Sequence, residues 1–406
     1  VGAGDDGTGV VSILETLRAI QTGPPLRNDV IVLFTDAEEL GLLGARAFVN
    51  EHPWMEDIQL VLSFEMRGGG GPVIMVETAE DNGWIIDALQ ASDQYPFANA
   101  MAYEVYQRMP NDTDFTPFKE AGKQGLNFAA IDKGHVYHQQ YDTPENVSES
   151  TLQHHGLHAL HVLRYLGDQD LVNVNAPDVV YFSMPALGLF VYQVTWVKWI
   201  SAGLIILLIL ALLAVHRSSV RLSGALIGAG ISIVGASLSF GFALLLLNWL
   251  PRFHPEAGSL QGSLYHREGW YVIALAAASF TIVTGLHALA RKWLSIQQLA
   301  LGALVVPFMG AILLGYTAPL AAMNLEWPVA AALMSVFWMT VMGERTTEML
   351  GWSLAILFSV PVLSFFVPVA ELLWIAMTFE FAPWLAVFIA IGLYLCLPAL
   401  DSVLHS

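Results

Sequence analysis

Two adjacent carboxylates, Glu38 and Glu39, stand where an apolar run ends and a helical pattern begins. The run at residues 30–34 is rich in β-branched side chains and predicts a buried strand, and residues 40–51 predict a helix. In α/β sheets, ligand sites form at the carboxyl ends of strands, where one carboxylate can bind a metal while its neighbour moves a proton. The dipole of a helix N-terminus also attracts acids without any chemistry, so the interpretation depends on the rest of the chain.

Three further side chains suited to binding a metal lie in predicted turns, loops or strand ends. Asp5 belongs to a glycine-rich turn, Glu65 ends a predicted strand, and His138 lies in a loop. One histidine together with carboxylates from separate loops is a ligand set that zinc accepts without cysteine. The only cysteine, Cys396, lies in an apolar segment, so a cysteine-based zinc site and an intrachain disulfide are both excluded.

A second group of histidines recurs at helical spacing. His154, His158 and His161 fall on one predicted helix, and a face of that helix could bind a metal. The segment lacks the glutamate of an H-E-x-x-H arrangement. A polar helix face is therefore the simpler interpretation.

The elements that must position these side chains alternate along the first part of the chain. In order, we predict helix 8–20, strand 30–34, helix 40–51, strands 60–64 and 73–77, helix 82–92, a short helix after the turn 111–115, strand 126–131 and helix 149–166. Such alternation is typical of a three-layer α/β/α domain with a largely parallel sheet.

The composition changes near residue 196, and the mean hydropathy of the whole chain, +0.56, is too high for a wholly soluble protein. Stretches of about 20 apolar residues are membrane helices. The apolar stretches lie near 197–215, 222–250, 270–290, 297–317, 327–343 and 350–366, followed by shorter ones near 367–379 and 381–400. We therefore predict a domain at 1–170, a linker at 171–195 and a polytopic α-helical membrane domain of six to eight helices at 196–406, with the lipid bilayer as a partner.

The acidity of the chain belongs entirely to its first half. The net charge of −18 is carried by residues 1–195, and residues 196–406 are neutral overall. Nucleic acid is excluded as a partner because phosphate binding needs basic patches. An acidic domain is suited to concentrating cations.

The basic residues of the membrane part predict its orientation. Arg217 and Arg221 follow the first apolar span, whereas the predicted loop 318–326 has no lysine or arginine. Because positive residues favour the cytoplasm, residues 1–195 should lie on the non-cytosolic side, which is periplasmic or extracellular in a bacterium and an organelle lumen in a eukaryote. We interpret Glu371 and Glu380 as acids at helix ends.

Four motifs resemble those of the di-zinc aminopeptidases, and their coupling to a polytopic membrane domain resembles the subgroup of endoplasmic reticulum metallopeptidases and vacuolar membrane proteases. The motifs are Gly2-Ala3-Gly4-Asp5-Asp6-Gly7-Thr8-Gly9, Asp36-Ala37-Glu38-Glu39-Leu40-Gly41-Leu42-Leu43-Gly44, Phe64-Glu65-Met66 and Tyr137-His138-Gln139-Gln140-Tyr141-Asp142-Thr143. The resemblance covers roughly residues 1–167. It implies a zinc peptidase domain of the three-layer α/β/α class.

The resemblance also implies a role for each matching residue. Asp5 would bridge two zinc ions, Glu39 and His138 would complete one zinc site, and Glu65 would bind the other zinc. Glu38 matches the general base. The bond from Asp5 to the next residue is usually cis in the family. Further matches are expected behind the ligands or along the cleft, namely Asp6, Asp142, Asp112, Asp114 and His135.

One part of the family's pattern is not present. The second zinc takes a histidine from a His-x-Asp motif upstream of the bridging aspartate, and this chain begins at Val1, inside the first motif. One zinc therefore has three ligands here, whereas the other has two. We expect that the chain is N-terminally truncated and that the intact protein binds two zinc ions.

The sequence thus predicts a membrane-anchored zinc metallopeptidase that acts on peptide substrates as an aminopeptidase, with Glu38 as general base. Two alternatives remain open at this stage. One is a glutaminyl-cyclase-like zinc acyltransferase, which a related single-zinc fold performs. The other is a catalytically silent, peptide-binding membrane scaffold. The oligomeric state is open.

Overall fold

The computed structural model describes residues 2–109, 112–184, 187–218, 220–253, 269–342, 348–377 and 379–404. The chain divides into two units, Val1–Val194 and Thr195–Ser406. Each unit has hydrophobic clusters of its own, as expected of parts that fold around separate cores.

Unit 1 contains six helices and five strands among its described residues. The helices are α1 (Gly7–Gln21), α2 (Leu43–Glu51), α3 (Gly83–Ser92), α4 (Ala100–Tyr106), α5 (Phe115–Glu120) and α6 (Glu149–Gly167). The strands are β1 (Leu60–Met66), β2 (Gly70–Thr78), β3 (Gln124–Asp132), β4 (Val179–Met184) and β5 (Gly188–Gln193). The predicted helices 8–20, 82–92 and 149–166 are confirmed to within one or two residues at each end.

The main sheet has three strands in the order β1–β3–β2. β1 pairs with β3 in parallel, whereas β2 pairs with β3 in antiparallel, so the largely parallel sheet that we predicted is mixed. Val61 and Phe64 lie on opposite faces of β1 because successive side chains alternate. Val61 packs with the cluster formed by α2 and α5, and Phe64 contacts the ring of His155 on α6. Helices therefore cover both faces, giving the three-layer α/β/α architecture.

Several predicted elements were wrong. Residues 30–34 form no strand in the described part of the chain. An apolar run becomes a strand only beside a neighbour that shares its hydrogen bonds. The helix predicted at 40–51 begins at Leu43, because Gly41 and Leu42 adopt the left-handed conformation. The segment 171–195, predicted as a linker, contains the β4–β5 hairpin. Helix α4 was not predicted, and part of the turn 111–115 lies outside the described residues.

Unit 2 is helical throughout its described residues. Its helices are α7 (Val197–Arg217), α8 (Ser223–Phe253), α9 (Gly269–Ala290), α10 (Ile296–Thr317), α11 (Pro319–Met342), α12 (Glu348–Ala376), α13 (Ala382–Leu395) and α14 (Leu397–Leu404). Six helices in the described residues, α7 to α12, are long and apolar enough to cross a membrane. This is the polytopic helical domain expected from the sequence.

Two details of unit 2 differ from the prediction. Residues 318–326 are not a loop: α11 begins at Pro319, a residue that suits the first position of a helix because its missing N–H would have no partner there. The region around 361–384, which fitted one span or two, holds a single long helix as far as Ala376, with Pro361 and Pro368 inside it. Glu380 lies in the short turn Phe379–Phe381, between helices.

Candidate active site

The turn before α1 is held from behind by Asp142. The carboxylate of Asp142 accepts the backbone N–H of Gly4 at 2.5 Å and that of Asp5 at 3.1 Å. A Cβ atom at Gly4 would lie 2.8 Å from Asp142 Oδ1, so only glycine permits this close approach. Asp6 caps α1 by accepting the N–H of Gly9 at 3.1 Å, and the Asp5–Asp6 bond is cis, as the resemblance implied. Asp142 therefore lies behind the backbone of Asp5.

Left-handed residues shape the loop that carries Glu38 and Glu39. The single 3-10 turn Glu38–Leu40 follows Ala37, which has a φ of 56°, and precedes Leu42, which has a φ of 60°. A non-glycine residue with positive φ is uncommon, and such strained positions cluster at functional sites. The glutamates therefore project from a tight turn before α2 and do not lie on that helix.

His138 brings the Asp5 turn and the Glu39 turn together. Its Nε2 atom lies 2.5 Å from Glu39 Oε1 and 3.4 Å from Asp5 Oδ2. The donor atoms of Asp5, Glu39 and His138 all lie within 4.8 Å of one another and form the group of clustered metal donors in the described part of the chain. His138 also has a positive φ, 55°, and its ring stacks on Tyr137 with the ring centroids 3.7 Å apart. Two carboxylate oxygens and one imidazole nitrogen form a donor set that suits zinc.

Glu38, Glu65 and Asp114 lie around this group. Glu65, near the end of β1, is not within the group of three, but it is close enough for the charges of Asp6 and Glu38 to raise its pKa. Asp114 accepts a hydrogen bond from the hydroxyl of Thr35. The structure thus places Glu38, Glu65 and Asp114 in the electrostatic neighbourhood of the three clustered donors.

Two other predicted residues are not drawn into that group. Asp112 and His135 are exposed, and neither contributes a donor atom to the group found among the described residues. Burial raises the pKa of Tyr106, and the charges of Glu77, Glu65 and Asp112 raise it further.

The carboxyl groups of the site repel one another. Burial, and then the negative charge of Glu39, raises the pKa of Asp5 to about 6 and that of Glu38 to about 7. Burial raises the pKa of Glu65 well above its ordinary value, and neighbouring carboxylates raise it further. Burial is the larger cause of these shifts, and the part that comes from neighbouring carboxylates reflects negative charge without a matching cation. A bound divalent cation would lower these pKa values. The donor set and its electrostatics both fit a metal.

Sequence reasoning missed some residues near the site. Tyr137 covers His138, and burial followed by the nearby carboxylates raises its pKa to about 12. A buried ion pair joins Glu77, which is 1% exposed, to Lys119, and Asn127 Nδ2 also reaches Glu77 at 3.4 Å. Tyr137 stands next to His138 in the chain, so proximity could have pointed to it. The ion pair carries no local signal, because its partners are 42 residues apart.

The histidines of α6 form an internal network and not a polar surface face. His158 is fully buried and its Nδ1 bonds to the carboxylate of Asp93, with His161 Nδ1 at 3.8 Å from the same carboxylate. His154 Nδ1 accepts the N–H of Val73 at 3.1 Å. These three side chains are not among the clustered metal donors found in the described residues. Hydrogen bonds thus account for His154 and His158, and His161 lies beside the same carboxylate as His158.

Comparison with known proteins places the site residues inside a recognised family match. Residues 1–163 match peptidase family M28. Endoplasmic reticulum metallopeptidase 1 of Homo sapiens is 34% identical over 198 residues, which cover 47% of this chain and 22% of that protein. The Mus musculus protein of the same name is 27% identical over 355 residues, or 83% of this chain and 38% of that protein. The vacuolar membrane protease of Candida dubliniensis is 31% identical over 191 residues, or 47% of this chain and 20% of that protein.

These matches confirm the resemblance drawn from the motifs. The similarity to the mouse protein spans 355 residues and so continues beyond unit 1, which ends at Val194. The chain spans between 20% and 38% of the length of these three relatives. No solved structure matches it.

Proposed function

We propose that this chain is part of a membrane-anchored zinc metallopeptidase, in which unit 1 hydrolyses peptide bonds and acts as an aminopeptidase. The observation that carries the proposal is the group of Asp5, Glu39 and His138, whose donor atoms lie within 4.8 Å of one another beside Glu38. The family match of residues 1–163, and relatives named metallopeptidase and protease, support the same activity.

The residues present fit a zinc ion in their chemistry. Asp5, Glu39 and His138 would hold one ion, and Asp5 with Glu65 would provide ligands for a second. Bound zinc supplies a water molecule of lowered pKa and polarises the carbonyl group of the scissile bond. Asp142 fixes the backbone of Asp5 and so keeps that ligand in place.

Glu38 is suited to moving the proton. It neighbours Glu39 in the chain, yet it stands outside the group of clustered donors, so its carboxylate is not committed to that group. Burial and adjacent negative charge raise its pKa to about 7. A base transfers protons best when its pKa lies near the working pH. Glu38 therefore takes a proton from the attacking water and returns it to the leaving amine.

We place the peptidase unit on the non-cytosolic side of the membrane. Arg217 ends α7, Arg221 precedes α8, and Arg291 and Lys292 lie between α9 and α10. These residues lie at the same end of the helices if consecutive helices cross the bilayer in turn. Because basic loops favour the cytoplasm, the start of α7 belongs on the opposite side.

The test uses full-length protein, in which zinc content and aminopeptidase activity are measured together. We expect Glu38→Gln to lower kcat by about 10²–10⁴-fold while its zinc content stays that of the wild type. His138→Ala should lose zinc as well as activity. Glu51→Gln, at an exposed position, is the matched control. Wild-type activity in Glu38→Gln would refute the assigned role.

The same three donors also fit a single-zinc acyltransferase of the glutaminyl cyclase type. A peptide with an N-terminal glutamine separates the two enzymes, because the cyclase releases ammonia from it whereas the aminopeptidase releases free glutamine. A protein without zinc and without either activity would instead be a peptide-binding scaffold.

A further inference from the structure

Unit 2 contains a carboxyl group that is buried without a cation. Glu326 of α11 is 0% exposed, and its Oε1 accepts a hydrogen bond of 2.6 Å from the hydroxyl of Ser201 on α7. Its Oε2 is buried and has no hydrogen-bond partner among the described residues. Among the described residues, no lysine, arginine or histidine lies within ion-pair distance of Glu326. The neutral hydroxyl of Ser201 is thus the hydrogen-bond partner of Glu326 among the described residues.

A half-buried acid in unit 2, Asp401, shows the contrast. Asp401 accepts a hydrogen bond of 2.7 Å from Nε of Arg291 and lies 2.8 Å from Nε2 of His287. The charge of Asp401 is therefore matched within the bundle. The same fold leaves Glu326 facing a serine, so a structural ion pair does not explain why a carboxyl group stands there.

The surroundings of Glu326 are small or apolar. A Cβ atom at Gly315 of α10 would lie 2.6 Å from Ser201 Oγ and 3.3 Å from Glu326 Oε1, so α10 approaches the pair with its backbone. About one turn further into the bundle along the three helices, apolar side chains are fully or almost fully buried, namely Leu204, Ala311 and Val329. The carboxyl group thus lies at the edge of a buried apolar core.

The charged groups on the helices packed against α11 do not face Glu326. On α7, Lys198 is exposed and its Nζ lies 5.6 Å from the ring of Trp199. His216 and Arg217 are exposed in the last turn of that helix. Helix α10 carries no charged residue, and Glu371 is exposed and is the charged residue of α12 whose side chain the structure describes. The carboxyl group of α14 belongs to Asp401, which is already paired.

An ionised carboxylate at this position would be poorly stabilised. Removing a charge from water costs far more than one hydrogen bond from a neutral hydroxyl returns. A protonated carboxyl group needs no counterion, and it still accepts the Ser201 hydrogen bond on Oε1. Ionisable residues inside membrane helices are typical of ion and proton pathways.

We propose that Glu326 and Ser201 form a proton-binding site in unit 2. Glu326 carries a proton on Oε2 in the packed bundle. When water reaches the site, the O–H bond breaks, the proton passes to water, and the carboxylate keeps the Ser201 hydroxyl as its donor. The three oxygens that the pair offers are fewer than a metal cation prefers, so the proton is the ligand that fits.

The position of the pair allows water to reach it from one end of the bundle. With a rise of about 1.5 Å per residue, Ser201 lies about 6 Å from the start of α7 and Glu326 about 10 Å from the start of α11. Gly315 lies about 3 Å from the end of α10. These are the same ends of the helices, and the buried apolar side chains lie on the inner side of the pair.

Infrared spectroscopy of the full chain in lipid tests the proposal. Above pH ~7, exposed carboxyl groups are ionised, so a remaining C=O band of a protonated carboxyl group reports a buried acid. Burial also raises the pKa of Glu65 in unit 1, so the band of Glu326 is taken from difference spectra. The spectrum of the wild type minus that of Glu326→Gln should contain the band, whereas the spectrum of the wild type minus that of Glu371→Gln should not. Ser201→Ala should move the band to higher frequency, because the C=O group loses its hydrogen bond. Gly315→Ala should do the same by displacing the hydroxyl.

Exchange distinguishes a binding site from a sealed structural acid. We expect the band to shift when the lipid sample is transferred to D₂O, and to disappear reversibly as the pH is raised. Identical spectra for the wild type and Glu326→Gln would overturn the proposal. A band that never exchanges with D₂O would also overturn it, as would its loss on adding sodium chloride at constant pH.

Discussion

Replacing Asp142 should damage zinc binding although we assign it no contact with the metal. Its buried carboxylate, 4% exposed, accepts two backbone N–H groups, from Gly4 and Asp5. In Asp142→Ala both donors lose their acceptor inside the fold. Each buried, unsatisfied N–H costs about 1–3 kcal/mol, so the variant should lose roughly 3 kcal/mol of stability in unit 1. At about 2–4 °C per kcal/mol for a unit of this size, unfolding of unit 1 should occur about 6–12 °C lower.

The effect on the metal follows from the ligand that these hydrogen bonds hold. Asp5 is the residue whose own N–H is bound, and its Oδ2 lies 3.4 Å from His138 Nε2. Loss of a partner behind a ligand usually costs about 10–100-fold in metal affinity. Asp142→Asn keeps one acceptor oxygen, so both its melting temperature and its zinc affinity should fall between those of Asp142→Ala and the wild type.

The assay is competition for zinc with a chelator of known affinity, on full-length protein in one detergent, together with thermal unfolding with and without zinc. Asp57→Ala, at an exposed position, is the control and should match the wild type in both measurements. If Asp142→Ala unfolds earlier but binds zinc within about twofold of the wild type, the argument that Asp142 positions Asp5 is wrong.

Three further predictions concern charge and burial in unit 1. Burial lowers the pKa of His155 to about 3, so below pH ~6.5 the unfolded state binds a proton that the folded state does not bind. At pH 5 the free energy of unfolding of unit 1 should therefore be lower by about 2 kcal/mol. The variant His155→Phe should largely abolish this pH dependence, which thermal unfolding at several pH values measures. Lys119→Met leaves Glu77 buried without its cation and should cost about 3–5 kcal/mol by denaturant unfolding, whereas adding Glu77→Gln to Lys119→Met should recover most of that loss. Because Asp5 has a pKa of about 6 without metal, zinc affinity measured by calorimetry should rise with pH from 5 to 7 as protons cease to compete, and an affinity independent of pH would contradict the ligand assignment.

The sequence was sufficient for the parts of the fold that have a local signal. Helices α1, α3 and α6 were predicted because amphipathic spacing and capping residues are read within one segment. The six long membrane helices were predicted because each contains about 20 mostly apolar residues, which is the length that spans a bilayer. Asp5, Glu39 and His138 come from distant segments, yet the motif resemblance was enough to group them, and the geometry places them together.

Features that depend on pairing between distant segments were beyond sequence reasoning. β2 pairs with β3 in antiparallel. The apolar run that predicts β2 specifies neither its neighbouring strand nor its direction. For the same reason residues 30–34 have the composition of a strand without pairing as one in the described structure. The Glu77–Lys119 pair is defined by burial, which neither residue type predicts.

Glu326 was missed for a related reason. We predicted a loop at 318–326, where the polar residues Asn324 and Glu326 interrupt the apolar pattern. The helix persists because it lies inside the bundle: Asn324 and Glu326 are both buried, and a buried polar side chain is stabilised by a neighbouring helix and not by the lipid. A hydropathy scan averages over a window, so it cannot distinguish a polar side chain in a loop from one that faces another helix.

Among the described residues, four buried or half-buried carboxyl groups have different partners, and each partner predicts a different chemistry. Asp142 receives backbone N–H groups, which stabilise its charge and make it a structural anchor. Asp401 receives a guanidinium group, which fixes two helices together. Asp5 faces other carboxylates and one imidazole, an excess of negative charge that a metal ion would balance. Glu326 receives one hydroxyl, which balances no charge, so a proton must do so. The identity of the partner, more than burial itself, therefore determines whether a buried acid anchors the fold, binds a metal or holds a proton.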